Sequence, residues 1–440
     1  MVNKRENAFF ITAGELAARG RDDIPKELKS SENFVYSSPA TLAFNSPGAQ
    51  GFGVKRAGLA VPGSVMLLVA PGCCGRNTSA LGPDGELADR FYYLLLDETD
   101  IVTGRHLRKI PEAVCEICKF HSVPPSAVMI CITCVDALLG TDMERVCRAS
   151  AEAAGVPVVP CYMYALTREG RVPPMTSVRK SVYSLLKPAR KDPSSVNLLG
   201  YFSPLRKDCE LYRLLKQAGV RHVHEISRCE SFAEYETMAE ANFNLVLNPE
   251  ARYAALDLEK RLGLPFIELT RMYQLDKVRN QYALLAKAAG LAFDDSPFYE
   301  AAEKAVADFR VRFGSLSFSV GEWFNGNPFE TALALVRAGF HVAEIFGTPG
   351  DSNFPFIRSL ARISPGTKIY SNLSPTMLSY DKRTAGTDFA LGQDAMYYHP
   401  ELPGLRWNEE VQPFGYAGIR GLFAEMTEIL SKYEEGRRSK

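Results

Sequence analysis

Short β-branched runs alternate with amphipathic helical stretches along most of this 440-residue chain, and that alternation leaves few folds open. It is plainest in the second half. A strand at 196–200 leads to a helix at 207–218, whose Leu211, Leu214 and Leu215 share one face. Strands at 223–226, 243–247 and 265–269 follow, with helices at 232–241, 250–262 and 277–289. After Phe313-Gly314 the pattern restarts with strands at 316–320, 341–346 and 368–370 and helices at 328–338 and 354–363. A last helix is expected over 419–432. Nearer the N-terminus, strands at 65–70, 128–133 and 156–160 alternate with helices near 110–120 and 142–154. Strands separated by helices pair in parallel through right-handed crossovers, with helices on both faces. The expectation is an α/β protein of three doubly wound, Rossmann-like parallel-sheet domains at 35–192, 193–312 and 313–440. Residues 1–34 form an N-terminal extension, and the low-apolar stretch 187–195 reads as a linker.

Two of these strands run out into cysteine-bearing loops. The 65–70 run is followed by Pro71-Gly72-Cys73-Cys74-Gly75, and the 128–133 run contains Cys131 and is followed by Cys134. The carboxyl ends of strands in open α/β sheets line the functional crevice. Thiolates are the soft ligands that iron–sulfur clusters require. Ten cysteines in a large chain without a signal peptide point to metal or redox chemistry rather than a disulfide framework. The competing reading is small buried hydrophobes, since free cysteine is among the most buried residue types. Cys115 and Cys118 share a helical face and read as core, as do the isolated Cys147, Cys161, Cys209 and Cys229. His222 and His224 point to one face of a strand and read as hydrogen-bonded rather than metal-bound.

Composition removes several function classes. Acidic and basic residues balance at 51 each, so neither nucleic acid nor an anionic membrane is an expected partner. No run approaches the roughly 18 apolar residues of a membrane span, and the expected location is the cytoplasm. There is no Walker A sequence, so the chain is not expected to bind or hydrolyse nucleotide itself.

Five segments together resemble the component 1 subunits of nitrogenase and nitrogenase-like reductases. Residues 72–75 look like that family's Gly-Pro-x-Gly-Cys turn, and Asp100-Ile-Val-Thr-Gly104 like its Asp-Ile-Val-x-Gly segment. Cys134-Val-Asp-Ala-Leu-Leu-Gly140-Thr-Asp142 is similar to its Cys-Pro-x-x-Leu-Ile-Gly-Asp-Asp loop. Asn197-Leu-Leu-Gly200 and Pro413-Phe-Gly-Tyr-Ala-Gly418 match the opening of the second domain and the segment before the last helix. The resemblance implies a homodimer, or a heterodimer or tetramer with a related subunit, carrying a 4Fe–4S cluster at the subunit interface. It also implies an ATP-hydrolysing iron protein that docks there and delivers electrons to a substrate between the domains. By the match, Cys74 and Cys134 are the ligands, with Cys73 and Cys131 as their neighbouring alternatives. The loop holding Leu138, Leu139 and Asp142 faces the docking partner, with the acidic Asp136 and Asp142 steering it.

The chain departs from the family in two ways. The earlier family cysteine should fall near 44–47, which reads Phe-Asn-Ser-Pro, so a single four-iron cluster is expected rather than the eight-iron form. The cysteine and histidine that anchor the nitrogenase catalytic cofactor correspond to Asn248 and Phe414, so that cofactor is not expected. Asn248, Glu322, Trp323 and Asn325 are the candidate substrate-binding residues; a plain loop with a helix cap is the alternative for the last three. The leading expectation is a subunit of a nitrogenase-like ATP-dependent reductase. A scaffold for metallocofactor assembly or carriage and a cluster-free α/β binding protein are the alternatives.

Overall fold

The computed structural model describes residues 7–29, 38–40, 53–54, 56–72, 87–163, 172–382 and 386–438. Cys73, Cys74 and the stretch 44–47 lie outside them. The chain divides into two compact units. One is built from Met1–Ser46, Leu205–Ala218 and Arg271–Lys440, the other from Pro47–Pro204 and Gly219–Thr270.

In chain order the first strand, β1, is Ile11–Thr12. Next come β2 (Val65–Ala70), β3 (Phe91–Leu95), β4 (Val128–Ile132) and β5 (Val158–Tyr162), all parallel in the order β3-β2-β4-β5. The central pair β2 and β4 is buried on both faces, as parallel strands covered by helices must be. Alternation assigns their side chains to two cores. Val65, Leu67 and Val69 join Val128, Ile130 and Ile132 on one side; Met66, Leu68, Met129 and Cys131 face the other.

A second parallel sheet follows in the same unit: β6 (Asp192–Leu199), β7 (His222–His224), β8 (Ala241–Val246) and β9 (Phe266–Glu268), ordered β7-β6-β8-β9. The expected linker at 187–195 therefore runs into structure. Asp192 already pairs with Ala241, before a register shift that brings Val196 opposite Phe243.

The other unit holds β10 (Ser317–Val320), β11 (His341–Phe346), β12 (Lys368–Tyr370), β13 (Phe389–Leu391) and β14 (Gly404–Leu405). These five are parallel in the order β12-β11-β10-β13-β14, and β1 adds to the β12 edge as an antiparallel strand. The fold class is α/β with parallel, doubly wound sheets, as the alternation predicts. β3, β13 and β14 and the helices Pro174–Tyr183 and Ser296–Phe313 were not among the expected elements. Among the described residues no helix is long and apolar enough to cross a membrane.

Each sheet reverses its strand order once, between β2 and β4, between β6 and β8, and between β10 and β13. Adjacent loops diverge at such a reversal, which opens a crevice at the carboxyl ends of the two strands. Several of the candidate residues lie at or next to these three places.

Candidate functional site: the strand-order reversals

In the first sheet, Val69 of β2 pairs with Ile132 of β4, so the two strands end side by side. Beyond Ala70 the chain runs on toward Cys73 and Cys74; beyond Ile132 it enters the short helix Cys134–Leu139. Cys134 is half-buried at the first position of that helix, in no disulfide among the described residues. Cys131 is different. It is fully buried within β4, with its thiol 3.9 Å from Met163 Sδ, on the apolar face of the sheet.

Around Cys134 the polar groups are mostly buried. Asp136, expected to steer a partner, is only 3% exposed, and burial pushes its carboxyl pKa up. Thr141 Oγ1 donates to Asp136 Oδ1 at 3.1 Å, and His106 Nε2 lies 3.5 Å from the same oxygen. An acid turned inward in this way presents no steering charge to solvent. Among the described residues three buried atoms here have no hydrogen-bond partner: Thr133 Oγ1, Asp136 Oδ2 and His106 Nε2. Asp100 of the Asp-Ile-Val-Thr-Gly segment is fully buried and accepts from Lys109 Nζ and Arg105 Nε, each at 2.6 Å. Lys109 first, then Arg105, hold its carboxyl well below the usual range. Asp142 caps the helix Met143–Ala154 by accepting from Arg145 N. Leu138 and Leu139 stand 73% and 50% exposed on the helix that Cys134 opens.

At the second reversal, Gly200 and Asn248 meet. A Cβ on Gly200 would lie 2.7 Å from Asn248 N, and its φ of +133° suits glycine. Asn248 Oδ1 accepts from Glu250 N at 3.0 Å, which makes it a helix cap. Arg179, unforeseen in the sequence, is 5% exposed. It donates to Gly200 O, to Met175 O and to Glu250 Oε2, and lies over the Phe202 ring. Phe414 is a buried core residue.

The third reversal sits in the other unit and brings Glu322 and Trp323 together with Asp394, a residue the sequence did not single out. Asp394 accepts from Glu322 N (2.9 Å), Trp323 N (3.1 Å) and Asn372 Nδ2 (2.8 Å), so one carboxylate ties three loops. Gly321 permits this approach, because a Cβ there would lie 2.0 Å from Asp394 Oδ1. Asn325 turns away from the reversal. Its amide donates to Glu409 O and Gln412 Oε1, and its backbone N donates to the carbonyl of buried Trp407. Asn325 is a brace.

Glu322 keeps its carboxyl at the crevice, accepting from Thr348 N and Thr348 Oγ1 at 3.2 and 3.3 Å. Burial, then the nearby Asp394 charge, push its pKa up to about 7 from 4.5. A carboxyl raised in the folded state favours folding below its unfolded pKa, and that contribution is lost as pH rises through the folded value. Glu322→Gln removes the titration and retains the Thr348 contacts, since the hydroxyl can accept from the new amide. The variant is expected to gain stability over the parent between about pH 5 and about pH 8, by on the order of 2 kcal/mol. Urea unfolding at both pH values measures this, and identical pH profiles for the two proteins would refute it.

Comparison with known proteins extends these observations. The family model described as nitrogenase component 1 type oxidoreductase matches residues 49–320, well over half of the chain. The chain belongs to that family. Its curated relatives include the nitrogenase iron–molybdenum cofactor biosynthesis protein NifE of Klebsiella pneumoniae, 31% identical over 45% of this chain and 46% of that protein. The NifE protein of Nostoc sp. is 25% identical over 58% of this chain and 55% of its own. The chain thus spans about half the length of the curated relatives it matches. In fold, a structure titled "Nitrogenase Cp1 at pH 6.5" superposes with a TM-score of 0.68 at 16% identity, covering 96% of this chain and 98% of that one. This nitrogenase component 1 fold extends beyond residue 320, through the third sheet.

Proposed function

We propose that this chain is a subunit of a nitrogenase-like component 1 assembly that carries a metallocofactor or its precursor during biosynthesis, using an iron–sulfur cluster held by Cys74 and Cys134. The observation that carries the reading is the strand-order reversal of the first sheet. Cys134 and the chain leading to Cys73 and Cys74 leave neighbouring parallel strands at their carboxyl ends. The half-buried thiol of Cys134 is the soft donor that an iron–sulfur centre takes. The packing does not favour Cys131, whose thiol lies among apolar side chains. Among the described residues no three His, Cys, Asp or Glu side chains converge on one point. Further ligands would come from the Cys73-Cys74 loop and from a second chain, either a copy or a related subunit. The biosynthetic role draws on the names of the curated relatives, and it replaces the reductase as the leading reading.

A reductase subunit is the second reading, favoured by the exposed Leu138 and Leu139 on the helix that Cys134 opens. Bare leucines at the edge of a redox centre suit the docking of an electron-donating iron protein through apolar contact. A bound cluster would supply one-electron transfer. The two readings separate by cargo. Protein purified without oxygen is expected to carry iron beyond the four atoms of one cluster per dimer when isolated with its partner subunit, as a precursor would give. Iron and sulfide analysis with mass spectrometry of the extract decides. An organic molecule released in place of extra metal would select the reductase.

A further inference from the structure

Away from the cysteines, the unit holding the third sheet contains a cavity of about 180 Å³. It lies among the helices Leu275–Ala289, Ser296–Phe313, Pro328–Arg337 and Gly415–Arg438. It is lined by apolar Val306, Leu335 and Phe423 and by Arg337, Gln274 and Asp276. An engineered apolar cavity of ~150 Å³ takes up benzene, so this volume suits a body of similar size.

The charges decide the kind of ligand. Arg337 Nη1 donates to Gln274 Oε1, and Gln274 Nε2 donates to Glu330 Oε1 at 3.0 Å. Glu330 is buried and also accepts from the backbone N–H groups of Tyr273 and Gln274, so it anchors the strut that orients the guanidinium. A guanidinium held from one side keeps N–H groups for a carboxylate. Asp276 accepts from Tyr299 OH at 3.2 Å. Neither Arg337 nor Asp276 forms a salt bridge among the described residues, although both line one cavity. Arg337 acts on buried Glu330 and Asp276 accepts from Tyr299, yet neither is held in a salt bridge among the described residues. Opposite charges on a largely apolar lining are complementary to a molecule that bears both charges and an aliphatic body.

We propose that this cavity binds a small zwitterion, an α-amino acid with an aliphatic side chain. Its carboxylate pairs with Arg337, its ammonium pairs with Asp276, and its side chain rests on Val306, Leu335 and Phe423. A simple carboxylate or amine of the same shape meets only one of the two charges. The proposal does not depend on the cysteine site.

Isothermal titration calorimetry of the full chain with L-leucine, 4-methylpentanoate and isoamylamine tests it. L-leucine should give saturable heat. The 4-methylpentanoate probe, which lacks the ammonium, and isoamylamine, which lacks the carboxylate, should each bind about tenfold more weakly, as loss of one charge-assisted hydrogen bond requires. Arg337→Gln, at an exposed position, should weaken L-leucine by a similar factor, and Ala334→Phe should abolish binding by filling the cavity. Absence of saturable heat with L-leucine overturns the proposal. So does equal binding of the three probes, or undiminished binding by Arg337→Gln.

Discussion

Cys134→Ser is expected to lose nearly all of the iron that the parent protein holds after anaerobic purification, and with it the brown colour. A serine oxygen at the first turn of the helix Cys134–Leu139 is a hard donor and a poor substitute for a thiolate bound to iron. Cys74→Ser should do the same, leaving far fewer than about four irons per dimer. Cys131→Ala should keep its iron, because that thiol packs beside Met163 in the core of the sheet. Cys229→Ser is a second control, since its thiol donates to Glu225 O within its own turn. Iron and sulfide content, with the visible spectrum, measure all four variants. Full iron in both Cys134→Ser and Cys74→Ser would remove the proposed site, whereas loss only in Cys131→Ala would move it into the strand.

The second large effect is expected at Asp394. Truncation to alanine leaves the part-buried Glu322 N and Trp323 N and the buried Asn372 Nδ2 without this acceptor. Each buried donor so stranded costs about 1–3 kcal/mol, and partial relaxation brings the sum to roughly 3–5 kcal/mol. A domain is commonly stable by only about 5–15 kcal/mol, so the third sheet's reversal should be severely weakened. Asp394→Asn should fall between, since its carbonyl still accepts while its amide meets a donor. Gly321→Ala should be nearly as damaging by a different route, because its Cβ would occupy the space of Asp394 Oδ1. Chemical denaturation measures the series. An Asp394→Ala protein within about 0.5 kcal/mol of the parent would mean that the loops are held by something else.

Individual elements show how far the chain alone could be read. Val65–Ala70, His341–Phe346, Lys368–Tyr370 and the helix Phe354–Ile363 have the bounds that their periodicity predicts. Each is an apolar or amphipathic run bounded by polar or turn-forming residues, which is local information. The helix Ser296–Phe313 escaped because only Ala302, Phe309 and Phe313 are buried along its length, too narrow a stripe to stand out. β6 begins at Asp192-Pro-Ser-Ser, which has the composition of a linker and becomes a strand by pairing with β8. β13 and β14 are too short for alternation to register, and pairing beside β10 defines them.

The strands Val65–Ala70 and Val128–Ile132 were legible because each is one contiguous apolar run, although Cys134 beyond the second opens a helix rather than a loop. Their parallel pairing followed from the strand–helix alternation. The fate of the polar candidates was another matter. Asp136 turned inward to His106, Asn325 turned away to Glu409 and Gln412, and Asp394 became the knot of the third reversal. The partners of Asn325 and the Glu322–Asp394 pair are more than seventy positions apart in the chain. Local patterning therefore determined most of the strands and helices. Only the tertiary structure decided which polar side chains face the crevice, because a buried hydrogen-bonding group turns towards whichever partner folding brings within reach.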